Sequence, residues 1–304
     1  MQNLRTRNIY IIDIGGTKIE YLNINKGQAI IQRYKTPNTG CFKKDMLTIK
    51  QHLLENFNWK YVDLVVISFP GLIKDGMVIK WPNKEYWEQN NIKNAFEILF
   101  SSKEIYFVED CNAGALTNNL FFEEDSIYIN AGTGIGAGLI INKQLFSGNN
   151  GYASELGHTI IDPFSNKQCS CGKKGCLQLY ATDKSLNFEE NNLEKERDRI
   201  MIAGRIMAIG IHNYLTLLDV TSIHLGGSLF KNPLYRKTVL SELFILEHNF
   251  LARRLNIVVR PFKNASLTGA LLLGCNYNNL DKNDKKLLSS IINKLLINRR
   301  CIIN

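Results

Sequence analysis

The chain has 304 residues, a hydrophobic fraction of 45% and a formal net charge of +9, from 37 basic and 28 acidic residues. This composition allows one large domain or two ordinary ones, with a sizeable core, and excludes a disordered chain. No apolar run is long enough to cross a bilayer, and residues 1–8 carry no signal-peptide pattern, so we expect a cytoplasmic protein without a membrane partner.

The basic excess and the cysteines bear on partners and compartment. The excess could indicate nucleic-acid binding, or a lysine-rich surface with part of the charge in the C-terminal tail. We favour the surface, and expect no nucleic-acid partner, because no surface with interleaved basic and aromatic residues accompanies the charge. The seven cysteines are an odd number, which fits a reducing compartment better than a disulfide framework.

Strands and helices alternate through the first third of the chain. Short apolar runs predict the strands, helical spacing of apolar residues predicts the helices, and Asn25-Lys26-Gly27 is a hairpin signal. The strands are expected at 9–12, 19–22, 64–67 and 105–108, and the helices at 44–57 and 92–100. This alternation predicts an α/β fold with a largely parallel sheet.

The first strand ends in the turn Asp13-x-Gly15-Gly16-Thr17-Lys18. Glycines let backbone amides approach a phosphate closely, and consecutive amides form an anion-binding nest. Asp13, at the strand end, is placed to hold a Mg²⁺-bound water, and Lys18 would add a positive charge. An ordinary hairpin turn is the alternative. The P-loop is excluded, because the glycine spacing differs and no helix follows.

Glu109 and Asp110 follow the strand at 105–108 and open a helical stretch over 111–120. In phosphoryl transfer to a hydroxyl, an aspartate commonly accepts the hydroxyl proton and orients the attacking oxygen. The alternative is that Asp110 only caps the helix, a frequent role for aspartate.

The strand–turn–strand pattern recurs after residue 125. A strand over 126–130 is followed by the glycine run 132–138, with Gly132, Thr133 and Gly134 at its start, and then by a strand at 139–141. A dinucleotide fingerprint would require a helix after the glycines. We therefore predict two related halves, each with a phosphate-binding turn.

The remaining elements complete the second half. Gly226-Gly227-Ser228 closes a short strand at 223–225. The other expected elements are helices at 197–218 and 266–275, a strand at 257–259, and a basic amphipathic helix over 282–303.

His158, Cys169, Cys171 and Cys176 have the composition and spacing of one zinc site. Gly172 and Gly175 would let the backbone turn tightly enough for the thiolates to face one point. The alternative is three unrelated buried cysteines and a loop histidine. A closed Cys₃His shell does no chemistry itself, but it would fix the loop that carries Glu155.

Together these motifs resemble the ROK family of repressors and sugar kinases, over residues 9–275. The matching segments are the 13–18 turn, Ser68-Phe69-Pro70-Gly71, Trp81-Pro82-Asn83, residues 109–113, the 132–138 glycine run, Glu155-x-Gly157-His158, the cysteine cluster, Gly226-Gly227-Ser228 and Thr268-Gly269-Ala270.

The resemblance implies the actin-like ATPase fold (hexokinase-type, ribonuclease H-like), with two domains around a central cleft. A small α/β domain over 1–111 would carry the sugar and phosphate side, and a large α/β domain over 112–280 the zinc loop and nucleotide site. Residues 281–304 would be a basic helical tail. The implied activity is ATP-dependent phosphorylation of the 6-hydroxyl of a hexose such as glucose, with N-acetylmannosamine or N-acetylglucosamine as alternative substrates.

The resemblance also implies cofactors, partners and residue roles. The cofactors are ATP, Mg²⁺ and a structural Zn²⁺, and the partners are a small sugar and a second copy of the chain in a homodimer. Asp110 would be the general base. Sugar contacts would come from Gly71, Asn83, Glu109, Glu155, His158 and Gln178. Asp13, Gly15, Gly16, Thr17, Lys18, Gly132, Thr133 and Gly134 would hold the phosphates and Mg²⁺, and Gly226 and Gly227 the adenine nucleoside. His158 and the three cysteines would bind zinc.

Two positions depart from the family pattern. Glu109 stands where the family usually has Asn, and Gln178 where it has Glu. One hypothesis is that a carboxylate gained at 109 compensates for one lost at 178. The departures also keep a second class open, a non-catalytic sugar-binding regulatory protein. Family repressors carry a helix-turn-helix domain ahead of the kinase-like body, and here eight residues precede the first predicted strand, so we expect a kinase instead.

Overall fold

The computed structural model describes residues 7–56, 62–81, 84–100, 104–120, 124–186, 193–250, 254–259 and 264–296. It divides into two compact units, which we call unit 1 (Met1–Thr117 with Lys263–Asn304) and unit 2 (Asn118–Phe262). The chain thus returns to unit 1 for its last helices. This differs from the expected boundaries at 111 and 280, because the helix after residue 264 packs on strands of the first sheet.

The sheet of unit 1 is mixed, which corrects the expectation of a largely parallel sheet. Its strands are β1 (Asn8–Ile14), β2 (Lys18–Asn25), β3 (Gln28–Lys35), β4 (Leu64–Phe69) and β7 (Ile105–Glu109), in the order β3-β2-β1-β4-β7. β1, β2 and β3 form an antiparallel meander, while β4 and β7 run parallel to β1. A separate ribbon pairs β5 (Leu72–Lys74) with β6 (Met77–Lys80).

Helices cover both faces of this sheet. The helices of unit 1 are α1 (Phe42–Asn56), α2 (Ile92–Phe100), α3 (Asp110–Asn119), α7 (Ala265–Gly274) and α8 (Lys282–Leu296). Because strand side chains alternate between faces, Tyr10 and Ile12 join the α1 and α2 core, whereas Val66 faces α7 at Gly274. The expected helices at 44–57, 92–100, 111–120 and 266–275 are thereby confirmed to within two residues.

The tail helix α8 belongs to unit 1. Its apolar side is buried through Leu288, Ile291 and Leu295, and the Asn264 side-chain amide donates to the Leu295 carbonyl at 3.1 Å. The predicted helix is thus confirmed up to Leu296, and residues 297–304 lie outside the described part of the chain.

The sheet of unit 2 repeats the strand order of the first. Its strands are β8 (Ser126–Ala131), β9 (Ile135–Ile141), β10 (Gln144–Leu145), β11 (Ser222–Gly226) and β12 (Asn256–Val259), in the order β10-β9-β8-β11-β12. In both sheets a three-strand antiparallel meander is followed by two parallel strands, as two related halves require. One detail was wrong: Gly136 and Gly138 lie within β9, paired with Asn130 and Tyr128, instead of in the turn.

The helices of unit 2 are α4 (Asp183–Leu186), α5 (Leu193–Leu218) and α6 (Pro233–Phe250). α5 packs against α6, and its side chains Met207, Ile211 and Leu215 lie in the core of the unit. In the described part of the chain, α5 is the one helix whose length and apolar composition would suffice to span a membrane. Burial of its apolar side in the core gives a sufficient reason for that composition.

Candidate functional site

Three of the predicted acids lie at the carboxyl end of the parallel strands in unit 1. Asp13 on β1 pairs with Ser68 on β4, and Phe69 of β4 pairs with Glu109 on β7. Asp110 follows directly as the first residue of α3. In open α/β sheets, ligands bind outside the carboxyl ends of the strands. The fold therefore brings Asp13, Glu109 and Asp110 to the edge where a ligand is expected.

The electrostatics of Asp13 reflect this crowding of carboxylates. Burial raises the pKa of Asp13 to about 7. The negative charges of Asp110 and Glu20 add to the rise, while the neighbouring Ser68 hydroxyl and the positive charge of Lys18 oppose it. A cation near Asp13 would favour the ionised carboxylate. The site therefore has the electrostatic character of one that accepts a divalent metal or its bound water.

Glu109 takes the capping role that the alternative interpretation gave to Asp110. The Asn112 backbone N–H donates to Glu109 Oε2 at 2.8 Å, so Glu109 satisfies the start of α3. Burial raises the pKa of Glu109 well above its usual range, and the charge of Asp110 with a hydrogen bond between the two carboxyl groups adds to the rise. Oε2 of Glu109, which was predicted to contact the sugar, therefore already accepts a hydrogen bond from the helix backbone.

The predicted phosphate turn of unit 1 is solvent-exposed at Gly16, Thr17 and Lys18. It closes with a hydrogen bond from Gly15 N–H to the Lys18 carbonyl at 2.9 Å. The predicted charge of Lys18 has a partner of its own: Nζ lies 2.7 Å from the carboxylate of Glu20, which is buried and also bonded by Arg33. A phosphate would have to compete with Glu20 for Lys18.

In unit 2 the two predicted nucleotide turns are adjacent. Gly132 N–H donates to the Gly134 carbonyl at 2.9 Å, and Thr133 and Gly134 are exposed. A Cβ on Gly132 would lie 2.8 Å from Ser228 Oγ, and a Cβ on Gly227, whose φ is +97°, would lie 2.1 Å from the Ala131 carbonyl. Glycine is therefore required where the 132–134 turn meets the 226–228 turn.

Asp183 is a candidate that sequence reasoning missed. Its backbone N–H donates to the Gly132 carbonyl at 2.9 Å, and its carboxylate accepts from Ser228 Oγ at 2.6 Å. It thus stands beside both glycine turns, at the first position of α4. The available signal was an aspartate opening a helix after the cysteine cluster.

The four predicted zinc ligands come together in unit 2. One ligand atom from each of His158, Cys169, Cys171 and Cys176 lies within 4.8 Å of all the others. Gly175 has φ +71°, and a Cβ there would lie 1.9 Å from the Asp162 carbonyl, so only glycine lets the two arms of the loop approach. Three thiols and an imidazole are a donor set that zinc prefers, and the residues fit a closed zinc shell.

The ring of His158 faces two ways. Nδ1 lies 3.5 Å from Cys169 Sγ, and Nε2 lies 4.0 Å from a carboxylate oxygen of Glu155. Burial and the positive charge of Lys173 hold the pKa of His158 below its usual value, which favours the neutral ring that a metal requires. Nδ1 of His158 thus lies beside the thiol cluster, and Nε2 lies on the side of Glu155.

Gln178 lies between the thiol cluster and the glycine turn of unit 2. Its side-chain amide donates to Cys169 Sγ at 3.1 Å, and its Oε1 is 3.7 Å from the position of a Cβ on Gly134. The sugar contact expected here stays a prediction, and in the structure the side-chain amide contacts a thiol.

The predicted sugar contact Gly71 directly precedes the β5–β6 ribbon of unit 1. A Cβ on Gly71 would lie 2.5 Å from the Lys80 carbonyl and 2.8 Å from the Phe69 ring, so close packing alone requires glycine there. Asn83 lies outside the described residues. Its described neighbours Trp81 and Lys84 are buried.

Comparison with known proteins gives relatives of two kinds. The ROK family model matches residues 9–274. A xylose repressor of Caldicellulosiruptor bescii is 33% identical over 310 residues, covering 87% of this chain and 76% of that protein. An N-acetylmannosamine kinase of Vibrio vulnificus is 29% identical over 186 residues, covering 59% and 62%. The chain spans between 51% and 76% of the length of five of the curated relatives that it matches.

A solved structure supports the same grouping at the level of the fold. The ROK glucokinase of Streptomyces griseus, in complex with glucose and AMPPNP, superposes with a TM-score of 0.74 at 22% identity, covering 88% of this chain and 99% of that one. The family model matches nearly the whole described chain, and the two-unit α/β architecture agrees with it. The chain therefore belongs to the ROK family and has the actin-like ATPase fold of its sugar kinases.

Proposed function

We propose that the protein is an ATP-dependent sugar kinase that phosphorylates the 6-hydroxyl of a hexose such as glucose. The observation that carries this proposal is the carboxyl edge of unit 1, where Asp110 opens α3 close enough to the half-buried Asp13 for its charge to shift the pKa of Asp13. One carboxylate near the metal and a second as proton acceptor are the acidic groups that phosphoryl transfer to a hydroxyl requires.

Asp110 would act as the base. Its carboxylate would accept the proton of the sugar hydroxyl as that oxygen forms a bond to the γ-phosphorus, while the bond to the ADP oxygen breaks. Bound ATP and Mg²⁺ would supply the transferable phosphoryl group and the positive charge that offsets its oxygens. Asp13 would hold a water of the metal. Since Glu109 caps α3, it helps to fix the orientation of Asp110.

Backbone amides would hold the nucleotide. The residues assigned to the phosphates are Gly15, Gly16, Thr17 and Lys18 in unit 1, and Gly132, Thr133 and Gly134 in unit 2. Gly226 and Gly227 would border the adenine nucleoside. Exposure of both turns supports this assignment, because amides that cradle a phosphate must be accessible to it.

The sugar would be held by residues that the resemblance assigns to it, namely Gly71, Asn83, Glu109, Glu155, His158 and Gln178.

We further propose that His158, Cys169, Cys171 and Cys176 bind one structural zinc that orients His158 beside Glu155. Thiolate ligands need a reducing compartment, which supports a cytoplasmic protein. Family resemblance supports a homodimer, which light scattering of the purified protein would test.

N-acetylmannosamine and N-acetylglucosamine are the alternative substrates, and the relative from Vibrio vulnificus supports the first of them. The second candidate function is a non-catalytic sugar-binding regulator. The xylose repressors among the relatives favour it. Xylose is a pentose without a 6-hydroxyl, so a protein of this kind would bind it without phosphorylating that position.

A coupled ADP-release assay with a sugar panel separates the two functions. The panel is glucose, fructose, mannose, N-acetylglucosamine, N-acetylmannosamine and xylose, with Asp110→Asn as the matched variant. Turnover of one sugar that is lost in Asp110→Asn supports the kinase and names its substrate. Calorimetric binding of a sugar by folded, zinc-loaded protein that has no turnover on any of them would favour the regulator.

A further inference from the structure

Lys84 is a buried lysine with an unusually complete set of partners. Only 1% of its side chain is exposed, and its Nζ lies 3.6 Å from Asp45 Oδ2. The ammonium donates to the Pro37 carbonyl, to Asn38 Oδ1 at 3.0 Å and to the Tyr86 hydroxyl at 3.0 Å. Lysine is almost never fully buried without such partners, so the burial serves to hold the segment that contains Pro37 and Asn38.

Asp45 holds the next part of the same segment. It lies in the first turn of α1 and is fully buried. Its carboxylate accepts from the backbone N–H of Thr39 at 2.9 Å and from the Thr39 hydroxyl at 2.7 Å, and also from Tyr86 and Trp87. The buried pair thus fixes residues 37–39 through both of its charges.

The same segment reaches the predicted phosphate turn through Thr36. The Thr36 N–H donates to the Thr17 carbonyl at 3.0 Å, and the Thr36 hydroxyl donates to the Gly15 carbonyl at 2.7 Å. A trans peptide is planar, with its C=O and N–H pointing in opposite directions. A fixed Gly15 carbonyl therefore fixes the direction of the Gly16 N–H, one of the amides proposed to hold phosphate.

We propose that Lys84 is a positioning residue for phosphate binding, which acts through residues 36–38 to fix the peptide planes of the 15–18 turn. This inference rests on the proposed function only for the identity of the ligand. The exposed Lys93 does not have this arrangement, because it pairs with Glu97 on the surface of α2, with about half of each side chain exposed.

The test compares three variants of the 304-residue chain. Lys84→Met is made together with Asp45→Asn, because removing one partner would leave a buried charge uncompensated. Thr36→Val keeps the side-chain shape and removes only the bond to the Gly15 carbonyl. Lys93→Met is the control. Amide hydrogen exchange of a peptide that covers residues 13–18 is measured without ligand, and kcat, KM for ATP and KM for the sugar with it.

We expect the double variant and Thr36→Val to exchange faster over residues 13–18, while Lys93→Met matches the wild type. Their kcat/KM for ATP should fall about tenfold, since small misplacements of binding groups cost one to two orders of magnitude. The KM for the sugar should stay unchanged, a split that a merely structural role would not give.

Unchanged exchange over residues 13–18 in both variants would overturn the inference, as would an equal loss of affinity for ATP and sugar. A wild type without turnover would count against the proposed kinase, and the inference would then be decided by the calorimetric Kd for ATP in the same variants. A wild type that does not bind ATP at all would overturn both.

Discussion

Gln178 acts on the thiol cluster through a single hydrogen bond to Cys169. Its amide N–H is a donor that stabilises a thiolate, whereas a carboxylate at this position would repel one. We therefore expect Gln178→Glu to weaken zinc binding by about tenfold, the lower end of what a lost partner of a metal ligand costs. Competition with a chromophoric chelator measures the affinity.

The matched control for that variant is Gln168→Glu. Gln168 is exposed and donates to the Gly172 carbonyl in the same loop, at 2.8 Å. It carries the same change in charge without the bond to a thiol. Equal zinc affinities for the two variants would contradict the role given to Gln178.

Glu109 and Gln178 each have a local partner that accounts for the residue type. Glu109 caps α3 in unit 1, and Gln178 donates to Cys169 in unit 2. Compensation between the two positions is therefore not needed to explain why Glu109 and Gln178 depart from the family pattern. We expect the effects of Glu109→Asn and Gln178→Glu on kcat/KM to add, with a coupling energy below about 0.5 kcal/mol. A double-mutant cycle measures it, and coupling well above that value would restore the hypothesis.

The half-buried Asp13 should make stability depend on pH. Burial raises its folded-state pKa to about 7 from an ordinary 3.8. Across that window the folded protein binds more protons than the unfolded chain, so the free energy of unfolding falls as pH rises. Asp13→Asn removes the charged form, and we expect it to raise that free energy at pH 8, without Mg²⁺, by on the order of 3 kcal/mol.

Urea unfolding at pH 5 and pH 8 measures this effect. The exposed Asp75→Asn serves as the control and should keep the wild-type difference between the two pH values. If Asp13→Asn kept that difference as well, the carboxyl of Asp13 would not be the group responsible.

At the scale of elements, α7 and α3 touch backbone to backbone. A Cβ on Gly269 of α7 would lie 1.6 Å from the Ala113 carbonyl of α3. Gly269→Ala must push the two helices apart, at a cost of about 1–3 kcal/mol. Since α3 begins at Asp110, we expect kcat to fall along with the melting temperature.

Ser266→Ala, one turn earlier on α7, is the comparison for this variant. It should leave both quantities near the wild type, because the change removes one hydroxyl from a half-buried position. Gly269→Ala with an unaltered kcat would show that α3 tolerates the displacement.

Most elements could be predicted because their signals are local. α2 was predicted with its observed ends, and β1, β4 and β7 follow apolar runs. α6 was missed, although Asn232 caps its first turn and Pro233 opens it, which is a usual helix start. Its apolar residues lie on several sides, so periodicity gave no clear face. The strand positions of Gly136 and Gly138 were missed because glycine is a turn signal, and only pairing with β8 reveals the strand.

For the whole molecule, the proposed zinc site lies entirely within unit 2. A strong chelator should therefore loosen the segment from Glu155 to Gln178 and lower the stability of unit 2, while the core of unit 1 keeps its protection. Hydrogen exchange by mass spectrometry, before and after chelation and after zinc is restored, measures this. An equal loss of hydrogen-exchange protection in β1 and in the 155–178 segment would contradict this prediction.

From the sequence, the contacts of the candidate site could be predicted only for residues that lie close together along the chain. The four ligands of the cysteine cluster lie within 19 residues of one another (158–176), so composition and spacing identified them. The partners of Lys18, Glu109 and Gln178, and the role of Lys84, depend on residues brought together by folding. The return of α7 to unit 1 was equally hidden, because nothing in a short apolar helix says which sheet it covers.

Unit 1 is built from two stretches of chain that leave the ribosome at different times. The 145 residues of Asn118–Phe262 are synthesised between them, which takes roughly 7–30 s at ordinary elongation rates. During that interval β1 and β4 exist, but α7, which packs on both, does not. Unit 2 is continuous and can complete its sheet first. The apolar surface of β1 and β4 is therefore uncovered on the nascent chain during this interval. Chaperone protection matters most at this stage of synthesis.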